Sequence, residues 1–391
     1  MDMVKRQLLE ALRAFLRQEP AAQLLTDPAD WQRLWQLASE QKVLPMAADV
    51  LAPVLAPSVR KAAMQVMTLQ LQRTAAFLDL YRELEQQDLH PLVVKGLVCR
   101  QLYPKPDLRM SADEDLLAPE TDFPALLTAL KEAGMTAEKE DAEQVVACRG
   151  GETGLYLEVH RTLFPASSQA YGGLNRFFED AFDRSVSEWG IRTLCPEDHL
   201  LYLILHSFKH FLHSGFGIRQ VCDICLFAAA YGGDVDWTIL SEKLTEAKAE
   251  VFAANLLEIG RAYLGVDAYP ASAEAWLAGF NLDCEDLLED LLSGGVYGSS
   301  TQERLHSSRI TLNAVTDHGK TRLLRTVFPP KEDLVGTYPW LEERPWLLPA
   351  AWASRIRQYQ KRNRGKKGAA RESIAIGEHR VELLKKYRII R

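Results

Sequence analysis

The apolar pattern changes period at Pro91, and this change limits the fold more than any other feature of the 391-residue chain. Before it, Leu8, Leu9, Leu12, Phe15 and Leu16 recur at helical spacing, and so does the stretch from Ala29 to Ala38 around two tryptophans. Ala56-Pro57-Ser58 reads as the start of a long helix through Met64, Met67, Leu71 and Phe77 to about Gln87. Then Pro91-Leu92-Val93-Val94, bounded by His90-Pro91 and Lys95-Gly96, reads as a short buried strand. A short helix from Leu97 to Tyr103 ends at Pro104 and Pro106. Met110 to Leu117 predicts a second strand. Thr121 or Asp122 is placed to cap a helix to Ala133, with Gly134 at its C-terminal end. Val145–Cys148 and Leu155–His160 predict an antiparallel pair, with the turn at Arg149-Gly150-Gly151-Glu152. From Pro196 the helical period returns, with amphipathic segments near 218–231, 237–247, 250–264 and 283–293.

Strand geometry gives this α/β segment its chemistry. Side chains two apart on a strand share a face, so Asp113 and Asp115 point one way and Glu114 the other. On the later strand Glu158 shares a face with Tyr156 and His160, opposite Leu155, Leu157 and Val159. With the two strands adjacent, Asp113, Asp115 and Glu158 converge. Three such carboxylates repel one another unless a cation sits among them, and hard oxygen donors suit Mg²⁺ or Mn²⁺. Gly96 follows a strand and opens a helix, where free N–H groups favour phosphate. Lys95 beside it and Arg109, four residues before Asp113, are candidate phosphate contacts.

The segment "LVVKGLVCRQLYPKPDLRMSADEDLL", followed by "LEVHRTLF", resembles the uncharacterised nucleotidyltransferase family of the DNA polymerase β-like superfamily. In that resemblance Lys95 and Gly96 match the family's strand-end turn and Arg109 its Arg. Asp113 and Asp115 match the metal pair, and Glu158 and His160 the later strand. "LLYLILHSFKHF", "IRQVCDICLFAA", "VFPP" and the Trp/Pro-rich segment near 338–349 are also similar to its downstream region. The resemblance implies an α+β fold with a small mixed-sheet nucleotidyltransferase core. It also implies transfer of a nucleoside monophosphate from an NTP to an acceptor hydroxyl, with Mg²⁺ or Mn²⁺ and pyrophosphate release. Two residues depart from the pattern: the usual Gly-Gly or Gly-Ser turn is Lys95-Gly96-Leu97, and Glu114 stands where an apolar residue is usual. They motivate the alternative of a catalytically silent binding or regulatory protein; a toxin–antitoxin type component is a further one. The acceptor is open among sugar phosphate, small metabolite, protein and RNA.

The expected organisation is an N-terminal helical region (1–89), the nucleotidyltransferase-like core (90–195), a larger C-terminal helical domain (196–350) and a basic tail (351–391). His206, His210 and His213 follow helical spacing and share a face; no Glu follows His206 as in a His-Glu-x-x-His zinc motif. His206 and His210 are therefore candidates for lining a cleft, against the blander reading of a polar helix face, and His160 is a third, against that of a satisfied core or sheet histidine. Cys222-x-x-Cys225 lacks a second pair, which argues against zinc. Asp223 between them is either a partner for Arg219 or a cleft residue.

Net charge of −7 excludes a global basic field for nucleic acid. The last 38 residues, with thirteen Lys/Arg against three Glu, leave a local contact to nucleic acid open, and a solvated terminus is the plainer reading. Six scattered cysteines fit reduced thiols rather than a disulfide framework. The start of the chain shows no signal-peptide pattern, and no window approaches eighteen consecutive apolar residues. The expected setting is the cytoplasm, away from membranes.

Overall fold

The structure is a computed structural model. It describes residues 1–294 apart from 142–144, 152, 167, 169 and 214, scattered positions between 311 and 335, and residues 338–362 and 369–390. The predicted turn residue Glu152, most of the polar stretch 294–318, all but Phe328 of "VFPP", and the basic run beyond Arg362 lie outside the described residues.

Four helices open the chain: α1 (Met3–Arg17), α2 (Pro28–Glu40), α3 (Leu44–Val50) and α4 (Pro57–Gln86). Asp2 caps α1 by accepting from the Lys5 amide, and Asp27 caps α2 by accepting from Ala29. Proline at the first turn of α2 and α4 removes an amide that no helical carbonyl could receive. The buried stripe of α1 is Val4, Leu8, Leu9, Leu12 and Phe15, as the spacing requires.

The mixed sheet that follows is built from β1 (Leu92–Val94), α5 (Gly96–Arg100), β2 (Glu114–Leu117), α6 (Phe123–Glu132), β3 (Met135–Asp141), β4 (Val145–Gly150) and β5 (Leu155–His160). Its order is β1-β2-β5-β4-β3. Among the described residues of this sheet only the central β2–β5 pair is parallel, and its register sets Asp115 beside Glu158 and Leu117 beside His160. Leu155, Leu157 and Val159 are buried, while Tyr156, Glu158 and His160 are half-buried on the other face. The α+β class and mixed sheet stand as expected.

The second strand is shorter than expected: residues 110–113 stay irregular after a 3-10 turn at Pro106–Leu108, and the strand begins at Glu114. Two elements escaped the sequence reading. β3 carries Glu138, Lys139, Glu140 and Asp141, so it shows almost no apolar alternation. It is an edge strand of the sheet, with no second neighbour to demand an apolar face. The second is a hairpin of β6 (Val186–Glu188) and β7 (Ile191–Thr193), closed by Trp189 and Gly190, both at positive φ.

Helices α7 (Pro196–Leu212), α8 (Ile218–Tyr231), α9 (Trp237–Glu246), α10 (Glu250–Ile259), α11 (Ala271–Leu277) and α12 (Glu285–Gly294) complete the main helical region. All six thiols are free, five of them buried. Cys225 donates to the Leu256 carbonyl of α10 at 3.4 Å, a packing role with its thiol pushed up to about 12 by burial. Among the described residues, no helix is long and apolar enough to cross a membrane.

The chain divides into two compact units, one of Met1–Lys209 with Phe216–Ser299, the other of His210–Gly215 with Ser300–Arg391. The second has its own small core of Leu334, Tyr338, Leu341 and Ala351. There Arg380 is fully buried and donates to the carbonyls of Phe211 and, at 2.6 Å, His213.

Candidate active site

Strand alternation and the parallel β2–β5 register bring Asp115, Glu158 and His160 together. One ligand atom from each lies within 4.8 Å of the others. His160 Nε2 is 3.0 Å from Asp115 Oδ1 and 3.6 Å from Glu158 Oε2. Asp113 sits immediately before β2, half-buried and outside this trio, and acts on Glu158 and Lys95 through its charge. The converging group is thus two of the three expected carboxylates plus His160.

Lys95 faces the same cluster, with Nζ 2.6 Å from Asp115 Oδ2. Burial opposes the charge on each member of this pair. Lys95 and a hydrogen bond from His160 nonetheless hold the Asp115 carboxyl well below the usual carboxylate range. Asp115 in turn raises the Lys95 ammonium above its ordinary value. Glu158 shifts the other way. Burial and the neighbouring charges of Asp115 and Asp113 push its carboxyl up.

The turn at Lys95 is held rather than relaxed. Its φ of 70° is unusual for a residue with a side chain. The Lys95 amide donates to His199 Nε2 at 3.1 Å. Thr193 on β7 donates its hydroxyl to the Val93 carbonyl at 2.7 Å, which leaves Thr193 Oγ1 to accept from His199 Nδ1 at 3.2 Å. That chain fixes His199 as the neutral Nδ1–H tautomer, and burial pulls its pKa down to about 3.

The expected phosphate cradle is filled from within the protein. Glu114 Oε2 accepts from the Leu97 amide at 2.8 Å, occupying the N-terminus of α5 where phosphate was expected. A Cβ on Gly96 would overlap that same oxygen, so glycine here makes room for a carboxylate. Arg100, 2.6 Å from Glu114 Oε1 and fully buried, is the cationic partner that the Glu114 position demands. Arg109 is likewise committed: its Nε and Nη2 reach Asp223 at 3.1 and 2.6 Å, and both side chains are buried. Asp223 also accepts from Tyr103 at 2.8 Å, so its partners are Arg109 and Tyr103.

Helix α7 supplies His199, Tyr202 and Lys209, which motif reading missed, beside His206, which it offered as a cleft residue. His199, Tyr202, His206 and Lys209 recur at helical intervals. The Tyr202 ring lies 5.5 Å from that of His206. The charges of Lys95, Asp115, Asp113 and Glu158 all act on Tyr202, whose phenol burial keeps protonated. His206 therefore sits one turn from a residue of the cluster, whereas His210 falls in the second compact unit. The spacing of His199 and Lys209 was visible in the sequence, but nothing there tied it to Lys95.

A divalent cation fits this donor set. Two carboxylates and an imidazole converge, and the buried Asp115 Oδ2 has the Lys95 ammonium beside it at 2.6 Å. Of the possible ions, oxygen donors with one nitrogen suit Mg²⁺ or Mn²⁺. No curated protein and no solved structure matches the chain. The pattern of one family does, under the description "Uncharacterised nucleotidyltransferase". Because that match runs over residues 27–265, from α2 through the whole sheet to the end of α10, the chain belongs to this nucleotidyltransferase family.

Proposed function

We propose that the protein transfers a nucleoside monophosphate from an NTP to an acceptor hydroxyl and releases pyrophosphate. The observation that carries this reading is the parallel register of Asp115 and Glu158, two carboxylates of opposite tuning at the centre of the sheet. Asp115, Glu158 and His160 would hold Mg²⁺ or Mn²⁺, with Asp113 adding charge from the mouth of β2. The ion supplies neutralisation of the polyphosphate and of the leaving pyrophosphate.

The acceptor oxygen forms the new bond to the α-phosphorus as the bond to the bridging oxygen of the β-phosphate breaks. Glu158, with its raised carboxyl pKa, is the base suited to take the acceptor proton. Lys95 keeps Asp115 ionised, and His199 keeps Lys95 in place. In this reading Gly96 shapes the Lys95 turn, and Arg109 braces the loop before β2 rather than touching phosphate. Positioning and charge supply most of the rate.

The test is Mg²⁺-dependent binding of the four common NTPs, followed by pyrophosphate release with candidate acceptors. Asp115→Asn and Glu158→Gln serve as variants, each checked for its fold. Wild-type turnover lost by about a hundredfold or more in both folded variants is expected. A wild type that binds no NTP with Mg²⁺ or Mn²⁺ sinks the enzyme reading. It would leave the Lys95–Asp115 pair as a structural replacement for the metal in a silent fold.

A further inference from the structure

A polyphosphate needs cationic partners, yet the two cations expected from sequence are engaged elsewhere. Lys95 lies against Asp115, and Arg109 is clamped by Asp223. Two other cations stand within electrostatic range of Asp113: Arg219, at the start of α8, and Lys209, near the end of α7. Arg219 already donates Nη1 to the Met110 carbonyl at 2.9 Å and so is tied to the loop before β2. Lys209 differs. Among the described residues it has no hydrogen bond or ion-pair partner, although Asp115, Glu158 and Asp113 all act on it. It follows His199, Tyr202 and His206 along α7, at intervals of ten, seven and three residues.

We infer that Lys209 is the phosphate-binding cation of this site, taking the β- and γ-phosphates of the incoming nucleotide. The inference rests on the nucleotidyltransferase reading above and adds to it the residue that meets the triphosphate. A half-buried ammonium without a counter-ion is costly, and an anionic ligand removes that cost. Consistent with this, burial and the like charge of Lys95 pull the Lys209 amine down to about 8, which a bound phosphate would reverse. An ammonium on the same α7 face as His199, which bonds the Lys95 amide, complements the ion the carboxylates would hold: the ion would neutralise the reacting end of the triphosphate and Lys209 the leaving end.

The experiment compares wild type, Lys209→Met, Lys209→Gln and Lys209→Arg by calorimetry with Mg²⁺ and each of the four common NTPs, the matching nucleosides and tripolyphosphate. Binding of Mn²⁺ alone is followed by electron paramagnetic resonance. Loss of the ammonium should weaken NTP and tripolyphosphate binding about ten- to a hundredfold, with nucleoside binding unmoved. Arginine should restore most of the affinity. Mn²⁺ alone should bind the Met and Gln variants at least as tightly as wild type, because a nearby positive charge is gone; that result also shows the site intact. If wild type binds the NTPs and both neutral variants bind them equally well, Lys209 is not the phosphate contact while the enzyme reading survives. An equal loss for nucleosides and triphosphates likewise overturns the assignment, since it marks a structural role. If wild type binds neither NTPs nor tripolyphosphate with Mg²⁺, both readings fall together.

Discussion

Single residues here take roles that their type alone does not reveal. Arg109 is the clearest case, because an arginine four positions before an acidic pair reads as a phosphate ligand. Its guanidinium instead forms a two-point pair with Asp223, 114 residues away, with Tyr103 completing the carboxylate's partners. No local pattern announces a contact of that span; Asp223 sits in α8 with Arg219 one turn before it as an equally good partner on paper. A buried pair of this kind costs most when only one member is removed. Arg109→Met and Asp223→Leu are each expected to destabilise the fold by about 3–5 kcal/mol, through the charge left unpaired. Combining them should recover much of that loss, so the coupling energy from urea unfolding should be large and the double variant should be more stable than either single one. Purely additive losses would mean that the two residues do not depend on each other, and a phosphate role for Arg109 would return.

At the scale of elements, the reading from sequence succeeded where period and chemistry agree and failed where either was silent. β1 and β5 were legible because Leu92-Val93-Val94 is wholly apolar and Leu155–His160 alternates cleanly. Alternation along β2 and β5 also placed Asp115, Glu158 and His160 on one face. β3 was not legible, since an edge strand of acidic and basic residues has no apolar face to announce it. The β6–β7 hairpin was hidden by its length of three residues a side, and with it went the support for α7. That support is a chain of hydrogen bonds from Val93 through Thr193 and His199 to the Lys95 amide, joining β1, β7, α7 and the turn of the site. It makes the fold acid-sensitive in a definite sense. His199 has a folded pKa of about 3 against 6.5 when unfolded, so the unfolded chain binds the extra proton between those values. The stability tied to neutral His199 is fully present above pH 6.5 and is lost as pH falls toward 3, at up to about 1.4 kcal/mol per pH unit. Wild type should therefore exceed His199→Gln in stability at pH 7.5, with the gap shrinking steadily as urea unfolding is repeated down to pH 4.5. A gap that stays constant with pH would show that His199 does not carry a buried neutral ring.

Across the whole molecule, charge is spent unevenly. The chain carries a net −7, yet among the described residues three deeply buried ion pairs gather around β2 and the segments that lead into it. Glu114 with Arg100 and Arg109 with Asp223 brace the two segments that lead into β2. Asp115 alone among these acids points to the face where Glu158 and His160 wait. Buried charge thus serves to position one carboxylate on that face, held by Lys95 and His160. The second compact unit uses buried charge differently. Arg380 donates to the carbonyls of Phe211 and His213, where α7 ends and the last carbonyls run out of helical amides. Removing that guanidinium leaves two carbonyls and the space of a long side chain unfilled. Arg380→Met is expected to cost about 2–4 kcal/mol. The loss should be read as faster amide hydrogen exchange along the described part of helix Ala369–Lys386, where Val381, Leu383 and Leu384 are buried. Unchanged exchange along that helix would mean that Arg380 does not hold the second unit together, and that its core around Leu334 and Leu341 suffices alone.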